Sequence, residues 1–174
     1  MKIVNCLFIG LGSIGQRHLR NLKKIHNNKI RFYAFRKTRH VPLINQYGQK
    51  IQGSVEKKFD IEIITKLSLA YKKKIDLVFI TNPSSMHINT VLKLKNLKNT
   101  YIFVEKPLDS NLKNINKLKS FLRRNNNKIF VGFNLKFHDG YQRLKSIINN
   151  DKQLGKLNYT IFKYGENLKN FHKY

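Results

Sequence analysis

Gly10, Gly12 and Gly15 stand in the spacing G-x-G-x-x-G within the stretch FIGLGSIGQRHLRNLKKI, residues 8–25. The chemistry that such spacing serves is the holding of a pyrophosphate. The first glycine permits a tight turn, the second lets a phosphate approach the backbone, and the third lets the following helix pack close to the preceding strand. The helix then offers unpaired N–H groups and the positive end of its dipole to the anion. Three glycines alone are a weak signal. Here a nearly continuous apolar run, residues 3–9, precedes them, and Ile14, His18, Leu22 and Ile25 follow at helical spacing, which is the context a dinucleotide cradle needs. Gly10, Gly12, Ser13, Ile14 and Gly15 are therefore candidate cofactor-binding residues. A carboxylate that would hold a ribose hydroxyl is expected about 20 positions further on. The sequence there is AFRKTRH, with Arg36, Lys37 and Arg39 and no acid. A basic cluster at that point suits the 2′-phosphate of NADP. The basic bias of the whole chain is the competing explanation, under which the cofactor is NAD.

Those residues need a scaffold. Residues 30–35, 75–80, 101–104 and 129–131 are apolar runs like residues 3–9. They do not alternate as half-exposed antiparallel strands would, which predicts strands buried on both faces in a parallel sheet. Ile61–Ile64 is a further strand, followed by a short helix through Leu67, Leu69 and Tyr71. Helical patterns run through Ile88, Val91, Leu92 and Leu94, and through Leu112, Ile115, Leu118 and Leu122. Strands alternating with helices predict an α/β fold with a doubly wound parallel sheet. Residues 1–135 form the dinucleotide-binding domain on this basis. Beyond them an amphipathic helix over 141–150 and a strand over 156–164 open an incomplete second domain, residues 136–174, of α+β type.

Three more stretches fall at strand ends: TNPSSMH at residues 81–87, VEKP at 104–107 and VGFNLKFH at 131–138. Ligands of open α/β sheets lie outside the carboxyl ends of the strands. Together with GLGSIGQRH, these motifs resemble the Gfo/Idh/MocA oxidoreductases (glucose-fructose oxidoreductase, inositol dehydrogenase and relatives), and the resemblance covers residues 1 to about 164. It implies a Rossmann sheet and hydride transfer between NAD or NADP and a hydroxyl or carbonyl of a sugar, nucleotide-sugar or cyclitol. It places Thr81, Asn82, Pro83 and His87 beside the cofactor, with Glu105 and Asn134. Lys136 and His138 fall at the nicotinamide or substrate edge. It makes Lys106 the catalytic residue, a cation that stabilises negative charge developing on oxygen. It also allows a cis bond before Pro107. His18 matches the family pattern, but its helical spacing points to packing. The family's second catalytic element, a histidine preceded by a carboxylate, lies further along than this chain extends; only His172 follows the last strand. A catalytically incomplete dinucleotide-binding module is accordingly the alternative, and a basic nucleic-acid-binding protein the third.

Composition weighs on that third alternative. Among 174 residues, 35 are Lys or Arg and 9 are Asp or Glu, for a formal charge of +26. The lysines are scattered rather than gathered in one tail or recognition helix, so no specific nucleic-acid partner is expected, only weak salt-sensitive polyanion binding. There is no zinc-finger spacing and no metal site is expected. Cys6 is the lone cysteine, which excludes an internal disulfide and suits a reducing compartment. No apolar run approaches the roughly 20 residues of a membrane helix. These features predict a cytoplasmic protein with a small-molecule substrate and no membrane partner. Self-association, or a separate chain carrying the missing C-terminal half, is the expected way to cover an otherwise unpaired strand.

Overall fold

The computed structural model describes residues 3–26, 29–36, 41–150, 155, 156, 158–161, 163 and 165. Strands apolar on both sides demand cover on both faces, and the order of elements supplies it. Strand β1 (Val4–Ile9) leads into helix α1 (Ser13–Ile25) and strand β2 (Ile30–Phe35). A hairpin, β3 (Pro42–Ile44) and β4 (Lys50–Ser54), and the short helix α2 (Val55–Phe59) come before β5 (Ile61–Ile64) and α3 (Leu67–Lys72). Then follow β6 (Leu77–Ile80), α4 (His87–Lys93), β7 (Tyr101–Val104), α5 (Ile115–Asn125) and β8 (Lys128–Val131). Six strands form one parallel sheet in the order β5-β2-β1-β6-β7-β8. The order grows outward from β1 through β2 to β5, then restarts on the other side of β1 at β6. The crevice at the carboxyl ends of β1 and β6 is thus the switch point where such sheets take their ligands.

Alternate residues of each strand serve opposite faces. On one face Leu7, Ile9, Val78, Ile80, Ile102 and Val104 pack against Ile88 and Val91 of α4 and Leu118 and Phe121 of α5. On the other, Cys6, Phe8, Phe32, Ala34 and Phe79 pack against Leu19 of α1, Leu43 of the hairpin, and Val55 and Phe59 of α2. Cys6 is fully buried, and burial pushes its thiol pKa up, so it acts as a small apolar residue rather than a nucleophile. Leu112 stays outside α5 and exposed.

The hairpin and α2 are not anticipated from the sequence, because β4 is almost wholly exposed and carries no apolar period. Local bonding makes it instead. The Asn45 side-chain oxygen accepts the N–H groups of Tyr47 and Gln49 at 2.9 and 3.0 Å, and Gly48 takes φ +83°. Ser54 caps α2 by accepting the Lys57 N–H at 3.2 Å.

The chain divides into two compact units between Phe133 and Asn134. The second contains a 3-10 turn, Asn134–Phe137, and helix α6 (Asp139–Asn150). The strand expected over 156–164 does not form at the described residues of that stretch. An isolated strand gains no ladder bonds to offset its ordering entropy, and among the described residues no strand pairs with it. No helix among the described residues is long and apolar enough to cross a membrane.

The ring of Phe8 is fully buried and stacks on Phe79 at a centroid distance of 4.8 Å. Phe8→Ala is expected to lower the unfolding free energy by about 3–5 kcal/mol in urea titrations followed by circular dichroism.

Candidate functional site

The loop after β1 is shaped by how closely β6 approaches it. Gly10 has φ +109°, and a Cβ there would lie 2.5 Å from the Asn82 nitrogen and the Thr81 carbonyl carbon. A Cβ on Gly15 would collide with the Gly10 carbonyl oxygen and lie 2.9 Å from Thr81 Oγ1. The Thr81 hydroxyl closes the arrangement by donating to the Gly10 carbonyl at 2.6 Å. Gln16, fully buried in α1, donates from Nε2 to the carbonyls of Leu11 and Pro42 at 2.9 Å each and accepts the Ile44 N–H at 2.8 Å. The loop is thereby fastened to the hairpin as well as to β6. Gly12 is different: a Cβ there would meet nothing within 4 Å. Space is kept open at the N-terminus of a 13-residue helix that has no side-chain cap and no acid in its first turn. Ser13 and Ile14 stand in that turn, where N–H groups have no intrahelical acceptor. The arrangement fits an anion.

The loops after β6 and β7 form the adjoining wall. His87 is buried, with Nδ1 2.8 Å from the Pro107 carbonyl oxygen and Nε2 2.8 Å from the Asn82 carbonyl oxygen. The Pro107 contact ties this loop to the loop after β7, and the Asn82 contact closes the loop on itself. Asn82 also donates from Nδ2 to Thr90 Oγ1 at 2.8 Å, while its Oδ1 is buried without a partner among the described residues. Pro83 caps the 3-10 turn Ser84–Met86. The Lys106–Pro107 bond is cis, which the family resemblance allowed. Asp109 accepts the Ile88 N–H at 3.0 Å and fastens the far end of the same loop to α4. Burial opposes ionisation of Asp109, but the N–H groups of Ile88 and Ser110 and the Ser110 hydroxyl reverse this and hold its carboxyl below the usual range. Between these ties Lys106 is exposed to solvent. Glu105, half-buried, accepts from His18 Nε2 at 2.6 Å and from the Lys106 N–H at 3.0 Å.

At the end of β2, Arg36 pairs with Glu56 of α2, and its Nη1 is buried without a partner among the described residues. Burial raises the Glu56 carboxyl, yet its own backbone N–H and the guanidinium prevail and leave it lowered. Lys37 and Arg39 lie outside the described residues. Asn134, Lys136 and His138 belong to the second unit and are exposed there. Among the described residues no group of three His, Cys, Asp or Glu could hold a metal ion.

This geometry has a known counterpart. The model of the oxidoreductase family with an NAD-binding Rossmann fold, GFO_IDH_MocA, matches residues 4–133. The chain belongs to the Gfo/Idh/MocA oxidoreductase family. An uncharacterised oxidoreductase of Bacillus subtilis, YrbE, is 28% identical over 148 residues, covering 82% of this chain and 39% of the relative. The myo-inositol 2-dehydrogenase of Thermotoga maritima is 28% identical over 142 residues, covering 82% of this chain and 40% of the relative. The scyllo-inositol dehydrogenase of Lactobacillus casei, solved with NAD(H) and scyllo-inositol bound, superposes with a TM-score of 0.67 at 21% identity, covering 88% of this chain and 43% of that one. The chain therefore spans about two fifths of the length of the relatives it matches.

In this Gfo/Idh/MocA chain three structural contributors escaped the sequence reading: Gln16, Glu56 and Asp109. Gln16 lies inside GQRH and Asp109 two residues after EKP, so proximity to a motif was their only signal. Glu56 has none, because its partner is set by the unanticipated α2. His87→Phe would remove the ring N–H that these two loop carbonyls face. It is expected to lower the unfolding free energy by about 1–3 kcal/mol, measured by urea denaturation.

Proposed function

We propose that this chain is the dinucleotide-binding part of an NAD(P)-dependent oxidoreductase that transfers hydride to or from a hydroxyl or carbonyl carbon of a sugar, nucleotide-sugar or cyclitol. The observation that carries the proposal is the open space over Gly12 at the uncapped start of α1. Support for the substrate class comes from the inositol dehydrogenases among its relatives. Gly12, Ser13 and Ile14 receive the pyrophosphate on backbone N–H groups and the helix dipole. Gly10, Gly15 and Thr81 hold the loop that does so. Asn82 and Pro83 line the cofactor's path, with His87 behind them. When bound, the nicotinamide supplies or accepts the hydride. The Lys106 ammonium stabilises the negative charge that develops on the substrate oxygen, and Glu105 fixes the backbone from which Lys106 projects.

Arg36 favours NADP over NAD. Its unpartnered Nη1 can take a charge-assisted bond to a 2′-phosphate, although Glu56 already occupies the same guanidinium and limits the gain. NADPH is expected to bind about tenfold more tightly than NADH, the worth of one such bond, and Arg36→Ala to erase the difference. Equal affinities in paired fluorescence titrations of the parent chain would remove Arg36 from this role.

Gly12→Val tests the cradle. Dinucleotide binding should disappear while stability falls by no more than about 1 kcal/mol, because a Cβ there meets nothing within 4 Å and only the helix start is affected. Retained binding would refute the proposal. Turnover separates an active enzyme from a module that only holds cofactor. With myo-inositol, absorbance of the reduced nicotinamide should change, and Lys106→Ala should slow that change by about 10²–10³-fold.

A further inference from the structure

We propose that His18 is a positioning residue for Lys106, acting through Glu105, and that it couples the helix carrying the phosphate cradle to the loop carrying the reacting cation. The inference rests on the role proposed above for Lys106. His18 belongs to α1, the helix whose first turn forms the cradle. Its ring meets Phe103 edge-on at 4.9 Å and Phe79 at 5.3 Å, so packing in the core fixes where its nitrogens point. A histidine needed only for packing has no call on a carboxylate. Here Nε2 lies 2.6 Å from Glu105 Oε1, with side-chain exposures of 21% and 14%. The other Glu105 oxygen accepts the Lys106 N–H at 3.0 Å. The Glu105 backbone is itself held, since its N–H donates to the Ile80 carbonyl at 2.9 Å. One carboxylate thus bridges a side chain of α1 and the main chain of Lys106.

The charges agree with this geometry. Burial acts to raise the Glu105 carboxyl, and the bond and charge of His18 together with the N–H and charge of Lys106 overturn it and leave it lowered. His18 and Lys106 are the titratable groups that face it. Because the folded value lies below the unfolded one, the stabilising contribution is present above the ordinary glutamate range and is lost as pH falls through the lowered folded value.

Two substitutions separate positioning from packing. His18→Phe keeps a ring between Phe79 and Phe103 but removes the donor. His18→Gln keeps a donor and removes the ring. In the isotopically labelled full chain without cofactor, His18→Phe should move the Glu105 titration to higher pH and move the Lys106 amide resonance, while His18→Gln leaves both near the parent. An unchanged Glu105 titration and Lys106 amide in His18→Phe would overturn the proposal. If His18→Phe does not fold, Glu105→Gln should shift the Lys106 amide and the His18 ring resonances together, and shifts confined to one partner would refute the link. In turnover of myo-inositol, His18→Phe should reduce kcat about 10²-fold with the dinucleotide Kd unchanged; an equal loss in Kd would point to cradle collapse and count against positioning. Failure of the parent chain to bind any dinucleotide would instead overturn the proposed function, and the Glu105 titration would still decide the His18 link.

Discussion

The close approach of two backbones at the switch point is the constraint on which the rest depends. Gly10 and Gly15 bring α1 and the carboxyl end of β6 so near that neither position has room for a Cβ. Thr81 converts that proximity into a bond by donating to the Gly10 carbonyl. Side chains at these positions would push α1 away from the sheet, and the helix N-terminus would no longer point into the crevice. Gly12 is under neither constraint, since a Cβ there would meet nothing within 4 Å. The same three-glycine pattern therefore contains two positions set by packing and one that packing leaves free.

Around this point the chain spends its few acids with care. Only 9 Asp and Glu accompany 35 Lys and Arg, yet Glu105, Asp109 and Glu56 each fasten a loop or helix that borders the crevice. In a chain this basic, surface lysines repel one another and offer little order. A half-buried carboxylate that collects two donors gives fixed geometry instead. The loop containing Lys106 shows the result: His18 and Ile88, on two different helices, hold its two ends through acids, and His87 holds its middle through the Pro107 carbonyl. Lys106 itself stays exposed, on an anchored backbone.

Much of the fold was legible because buried parallel strands leave an unmistakable mark. Val4–Ile9, Ile30–Phe35, Leu77–Ile80, Tyr101–Val104 and Lys128–Val131 lie within a residue or two of the apolar runs that announce them. The hairpin was not legible, because β4 buries almost nothing and owes its existence to the turn at Asn45–Gln49 and to Gln16 across the gap. The opposite error occurred after α6. Residues 156–164 have strand-like composition, but composition cannot provide a neighbour to pair with, and their described residues remain without a strand.

Sequence by itself determined the parallel sheet and the family, since apolar runs and four ordered motifs are local properties that survive without coordinates. Only the tertiary structure decided what the neighbouring polar residues do. His18 had the spacing of a packing residue and proved to hold Glu105 as well. His87 had the position of a cofactor contact, and both its nitrogens are bonded to loop carbonyls. Arg36 had the look of a free phosphate ligand and is paired with an acid 20 residues away. The physical reason is common to all three. A side chain's residue type states which bonds it can make, but its partners come from distant segments, and only folding brings the donor and the acceptor together.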